Sequence, residues 1–139
     1  MKRYTLNKHQ RVKKKADIEK LFKSKTATFH YPIIFKWVYT PDAPTPDKAP
    51  LRVAVAVPRK KIKKPVHRNT IKRRLREAFR LNKIPVEDTL RKAKHQCDVL
   101  LLYIAKECLP YTKIEAAVRA GLAALHKAIE NPEHPSADQ

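Results

Sequence analysis

The sequence predicts an α+β fold, a single sheet of three to four strands with helices packed on it, in the order α-β-β-(β)-α-β-α. Three observations carry that prediction. Residues 51–57 and 98–105, LRVAVAV and DVLLLYIA, are apolar runs of strand length. Between them, residues 65–81 have helical apolar spacing, and a strand, a helix and a strand in succession imply a parallel βαβ crossover. Residues 113–129 then carry an apolar stripe long enough to cover the sheet.

Residues 1–25 hold ten Lys or Arg, with Leu6 and Val12 in an otherwise polar run, followed by Ile18, Leu21 and Phe22 at three- and four-residue spacing. This predicts a basic arm over 1–15 that leads into a short amphipathic helix, the start of a domain over 16–130. FHYPIIFKWVY, residues 29–39, is aromatic and β-branched and reads as one strand. Ile33, Phe35, Trp37 and Tyr39 would share one face, and Ile34, Lys36 and Val38 the other. PDAPTPDKAP, residues 41–50, holds four prolines and is an exposed connection between strands. In the next strand Val53, Val55 and Val57 alternate with Ala54 and Ala56, so the alanine face admits a closely packed helix.

Pro65 suits a first helical turn, where its missing N–H would be unpaired anyway. On the helix that follows, Leu75, Ala78 and Phe79 fall within about 80° of Ile71, while Asn69, Lys72, Arg73, Arg76 and Arg80 lie about 100° to 200° away. Pro85 interrupts the pattern, and EDTLRKAK adds a helical turn or two. Ile114, Ala117, Val118, Gly121, Leu122, Leu125 and Ile129 form the stripe of the last helix, and NPEHPSADQ is a polar tail over 131–139.

The chain has 32 Lys and Arg against 13 Asp and Glu, a net charge of +19. Such an excess calls for a polyanion. No apolar run approaches the roughly 18–20 residues of a membrane span, and neither a signal-peptide pattern nor a lipidation motif is present. The expectation is a soluble cytoplasmic protein. Cys97 and Cys108 lie in no CxxC or CxxH spacing and the histidines are scattered, so neither a disulfide framework nor a protein-made metal site is expected.

The charge is densest in RKKIKKPVHRNTIKRRLR, residues 59–76, with ten Lys or Arg and no acid. Val66, Ile71, Leu75, Ala78 and Phe79 run through and beyond it, which docks the segment on a core and orients its cations. An oriented cationic surface fits a phosphate backbone, each neutralised phosphate contributing through counterion release. Arg68, Arg73 and Arg76 offer planar bidentate contacts, and the lysines diffuse attraction. Arg68 lies beside the apolar face and equally suits an arginine paired within the fold.

KKIKKPVHRNTIKRRLREAF, residues 60–79, resembles the signature of the protein subunit of bacterial ribonuclease P: two lysines, a turn, then Arg-Asn, two residues, Lys-Arg, two residues and Arg. Those positions are Lys60, Lys61, Arg68, Asn69, Lys72, Arg73 and Arg76. LNKHQRVKKKADIEKLFKS resembles the family's first helix, LRVAVAVPRKK the strand entering the motif, and DVLLLYIAKE the last strand, so the resemblance runs from residue 6 to about 129. The chain departs from the family in having Lys63 and Pro65 where small residues are usual, and Ile18 in place of the first aromatic of the first helix.

The resemblance implies a ribosomal-protein-S5-like fold with a left-handed crossover. It also implies a role in removing the 5′ leader of precursor tRNA, with the Mg²⁺-dependent hydrolysis carried out by a large RNA and no catalytic residue in the protein. By position, Arg59, Lys60, Lys61, Lys64, Arg68, Asn69, Lys72, Arg73 and Arg76 would contact the ribonuclease P RNA. Arg11, Lys13, Ile18, Phe22, Phe35 and Lys36 would line a leader-binding cleft between the first helix and the sheet. Phe22 suits core packing equally well. The implied assembly is one protein and one RNA acting on precursor tRNA, with Mg²⁺ bound by the RNA. A ribosomal or general structured-RNA-binding protein fits the composition too, and the full Arg-Asn and Lys-Arg spacing inside a βαβ unit counts against it. A self-sufficient metal nuclease would need converging carboxylates, which Asp17, Glu19, Glu77, Asp98 and Glu107 do not form in sequence.

Overall fold

The structure, a computed structural model, describes residues 10–40 and 49–130. Along the chain come α1 (Lys15–Lys23), β1 (Ala27–His30), β2 (Ile33–Thr40), β3 (Leu51–Ala56), α2 (Pro65–Asn82), α3 (Ile84–Ala93), β4 (Gln96–Tyr103) and α4 (Tyr111–Glu130). The strands form one sheet in the order β1-β2-β4-β3, antiparallel at β1–β2 and β2–β4 and parallel at β3–β4. The α+β class and the parallel strand-helix-strand unit are thus as the sequence predicts.

β4 lies between β2 and β3 with Val99, Leu100, Leu101 and Tyr103 fully buried. Burial on both faces explains why its apolar run is continuous rather than alternating. On one face Ile71, Leu75, Ala78 and Phe79 of α2, Val86 and Leu90 of α3, and the stripe of α4 pack with Ile33, Phe35, Trp37, Leu51 and Val53. On the other, Val12 and Leu21 join Ala54 and Leu100, flanked by Ile18 and Val38. The alanine side of β3 is thus met by Val12 and Leu21, while α1 itself lies mainly over β2 and β4.

Three expectations change. Residues 29–39 are two strands, not one: the chain turns at Tyr31–Pro32, whose peptide bond is cis, and pairs Phe29 with Ile34. Proline has no N–H for a ladder and sits best at such a break. The segment 41–50 connects two strands as expected, β2 and β3, which are not sheet neighbours because β4 lies between them. Residues 41–48 are outside the described residues, and the Pro50 carbonyl accepts the Cys97 N–H at 2.9 Å. Pro85 begins rather than interrupts a helix, standing in the first turn of α3. Val66 is 63% exposed at the start of α2, so the docking of that helix rests on residues from Ile71 onward.

Residues 1–9 of the expected arm and the tail over 131–139 are outside the described residues. Residues 10–12 run along the outer edge of β3. The Val12 N–H donates to the Val53 carbonyl at 2.9 Å, and Val12 is buried. Gln10 Nε2 donates to Glu87 Oε2 at 3.0 Å, and the same oxygen takes Lys83 Nζ at 2.9 Å. Lys83 is only 1% exposed, so Gln10 fastens this strap to a buried ion pair at the α2–α3 junction.

Two outcomes follow from this packing. A Cβ at Gly121 would collide with the ring of Phe35 at Cε1, Cζ and Cδ1, and that ring has nowhere to withdraw because it is fully buried. Gly121→Ala is expected to lower stability by about 1–3 kcal/mol through overpacking, despite alanine's better helix propensity; an unchanged or raised melting temperature would contradict the packing. Burial, with Asp98 beside it, pushes the Cys97 thiol well above its ordinary range, whereas Cys108 is exposed. A thiol reagent should label Cys108 alone in the folded protein and both cysteines after unfolding.

Candidate nucleic-acid interface

The approach to α2 is a tied turn. The Pro58 carbonyl accepts the N–H groups of Lys61 and Ile62, each at 3.1 Å, and Ile62 is buried as an anchor. Arg68 reaches back from the first turns of α2, its Nη1 donating to the Ile62 carbonyl at 3.0 Å and the Lys63 carbonyl at 2.8 Å. The turn is thereby held with Lys63 and Pro65 in it. Arg68, expected on RNA, spends one end of its guanidinium on the fold, and a guanidinium has five N–H donors in all.

The remaining residues assigned to RNA differ in exposure. Arg59, Lys60, Lys64, Asn69 and Arg73 are exposed, and Lys61, Lys72 and Arg76 are half-buried. Arg74 is structural, donating from Nη1 to the Leu109 carbonyl at 2.8 Å and so binding α2 to the segment before α4. The first acid after this run, Glu77, is claimed by Arg80 at 2.7 Å, which holds its carboxyl below the usual range. The first turn of α2 has no acid, so the partial positive charge of the helix start adds to Lys63 and Lys64. Burial and then the nearby Arg11 guanidinium lower the pKa of Arg76, and no acid is among the charges acting on it. An anion between these two arginines would relieve that repulsion.

A second surface lies on the α1 side of the sheet. The strand registers place Phe29, Ile34, Leu102 and Ala56 in one row across all four strands, with Ala27, Lys36, Leu100 and Ala54 in the next row. α1 covers Leu100 and Ala54, while Ile34, Leu102 and Ala56 stay partly exposed and Phe29 is 60% exposed. Lys36 Nζ donates to the Phe22 carbonyl at 2.9 Å, bringing the end of α1 to the margin of this shelf, and Phe22 is 43% exposed there. Arg52 pins α1 down, bonding Asp98 at 2.8 and 2.7 Å and Asp17 of α1 at 3.6 Å. That geometry raises the Arg52 pKa, chiefly through the Asp98 bond.

Ile18 is half-buried against the α1 cluster, and Arg11 and Lys13 are exposed ahead of α1. Phe35 is a correction. It is 0% exposed and faces α4 on the opposite side of the sheet, so its ring cannot line this cleft. Phe29, Ile34 and Leu102 were missed. Read as one strand, residues 29–39 put Phe29 on the Phe35 face; the turn at Pro32 moves it to the Lys36 face, and Pro32 was the available signal.

Among the described residues no three His, Cys, Asp or Glu side chains gather as a metal site. Asp17, Asp98, Glu77 and Glu87 are each bound to Arg or Lys instead. Among the described residues no helix is long and apolar enough to cross a membrane.

The fold and surface define a small basic α+β protein with cations concentrated along one core-docked helix and the turn before it. The family model for Ribonuclease P matches residues 6–125, and the chain belongs to that family. It is 31% identical to the ribonuclease P protein component of Porphyromonas gingivalis over 68 residues, 49% of this chain and 50% of that one, so it spans about half the length of that relative. Its fold is similar to the Staphylococcus aureus RNase P protein, with a TM-score of 0.60 at 20% identity over 84% of this chain and 94% of that one. The Thermotoga maritima RNase P protein gives a TM-score of 0.57 at 23% identity over 87% and 98% of the two chains.

Arg68→Ala is expected to free the Ile62 and Lys63 carbonyls. The loss should be about 1.5–3 kcal/mol, the range for hydrogen bonds to charged groups, with faster amide exchange in residues 60–64. Exchange unchanged there would show that Pro65 and the buried Ile62 hold the turn without Arg68.

Proposed function

We propose that this chain is the protein subunit of a ribonuclease P. In this reading it binds the catalytic RNA through α2 and the turn before it, and the 5′ leader of precursor tRNA across the open face beside α1. The observation that carries the reading is the cationic surface of α2, which combines the family's spacing with an absence of acids from residue 59 to 76. Arg73 and Lys72 meet phosphates from the solvent side of the helix, Arg76 and Arg11 share an anion, and Lys60, Lys61 and Lys64 attract the RNA backbone at the helix start. Arg59 and Asn69 border the same surface, and Arg68 positions the turn as much as it touches RNA. Phe22 and Lys36 offer the leader a ring and a cation, with Ile18 and Lys13 at the α1 side.

Hydrolysis belongs to the RNA, whose bound Mg²⁺ supplies the chemistry that activates water. The protein contributes no reacting group; its residues bind, orient and neutralise. The assembly is one protein with one RNA acting in the cytoplasm. Reconstitution with a bacterial ribonuclease P RNA and a precursor tRNA at low Mg²⁺ tests this. Leader release that needs both components supports the proposal. RNA binding without stimulation would assign the chain to general structured-RNA binding, and cleavage by protein alone would overturn both readings.

Salt dependence separates contact from diffuse attraction. Replacing Lys72, Arg73 and Arg76 together with Ala should reduce the slope of log affinity against log salt by about 2–3 units, at about 0.9 per phosphate. An unchanged slope in a folded variant would remove these residues from the interface.

A further inference from the structure

We infer that Phe29 is a base-stacking position for one unpaired nucleotide of the leader, at the β1 end of the open shelf. This rests on the leader-binding reading above and deepens it. Phe29 is 60% exposed on an edge strand, the outer end of the row Phe29–Ile34–Leu102–Ala56. Sheet proteins blunt their edges with charge, and a ring left open there beside an apolar floor is a surface that awaits an occupant.

The rim of the shelf says what kind. Lys36 stands in the neighbouring row, α1 ends alongside with Lys20 and Lys23 in its last turn, and β3 runs from Ala56 into Arg59 and Lys60. Two acids on this face, Asp98 and Asp17, are already held by Arg52. An apolar floor with a cationic rim fits the flat face of a base joined to phosphates, and stacking on a ring tolerates any base.

The test uses the reconstituted ribonucleoprotein and precursor tRNAs with a long leader, a truncated leader, or a long leader carrying one abasic nucleotide at successive positions. Phe29→Ala should weaken binding of the long-leader substrate roughly five- to 150-fold, the value of one stacked base. It should leave the truncated substrate unchanged, and Phe29→Trp should restore affinity. One abasic position should abolish the difference between wild type and Phe29→Ala, which a merely structural role would not do. Because Phe29 is exposed, the variant's melting temperature should match wild type. If wild type itself fails to distinguish long from truncated leaders, the leader-binding reading falls. If wild type distinguishes them and Phe29→Ala does so equally, only the role of Phe29 falls. Concentration-dependent self-association of wild type that Phe29→Ala abolishes would give the shelf to a second copy of the chain and overturn the inference.

Discussion

The parallel pairing of β3 with β4 is the constraint from which the rest of the molecule follows. From Leu51 opposite Cys97 to Ala56 opposite Leu102 the two strands run the same way. Parallel neighbours cannot be joined by a tight turn, so the chain must travel back along a face of the sheet before β4 begins. It does so as α2 and α3, on the side away from α1. The most basic segment of the protein is therefore also part of the core. Burial of Ile71, Leu75, Ala78 and Phe79 fixes the rotation of α2, and the 3.6-residue period then directs Lys72, Arg73 and Arg76 away from the sheet.

A chain of charge +19 must place its few acids with care. Among the described residues, Asp17 and Asp98 clamp α1 to the sheet through Arg52, Glu87 pairs with the buried Lys83, and Glu115 meets Arg119 and the Asn82 side chain. These acids sit at joints between elements, or at helix positions away from the start of α2. Exposed pairs such as Arg91–Asp88 add little stability. The Lys83–Glu87 pair differs, because removing either partner would leave a charge buried without compensation. What is withheld from residues 59–76 is as telling as what is given elsewhere. Their mutual repulsion is tolerated because half of these cations are exposed and none is fully buried, so salt screens them.

Much of this was legible in the sequence. The strand at β4, the span and facing of α2, and the stripe of α4 could be read because long periodic or continuous apolar patterns are forced by burial. The boundaries that failed share a cause: each turns on a proline. Pro32 reads as part of an aromatic strand until it is seen to split a hairpin, and Pro85 reads as a stop although it opens α3. The missed Phe29 descends from the first of these, whereas Phe35 was assigned to a cleft on the face opposite its own. Shifting one turn moved Phe29 to the α1 face, while Phe35 stayed on the face that α4 covers, because the pleat alternates with every residue. Arg68 illustrates another limit. A guanidinium that closes a turn and one that meets phosphate occupy the same helical position, and only the carbonyls of Ile62 and Lys63 tell them apart.

The two candidate surfaces are continuous rather than separate. Ala56, at one end of the apolar shelf, precedes Arg59 by three residues, a reach of about 10 Å in an extended chain. The strap at residues 10–12 reinforces that continuity. Val12 belongs to the α1-side cluster, while the charge of Arg11, one residue before it, acts on Arg76 of α2. Anchoring it through Gln10 to the buried Glu87 gives the Arg11–Arg76 arrangement a fixed backbone on each side. The two arginines repel one another with no acid among the charges acting on Arg76, so an anion entering there would meet charge that the fold has already brought together.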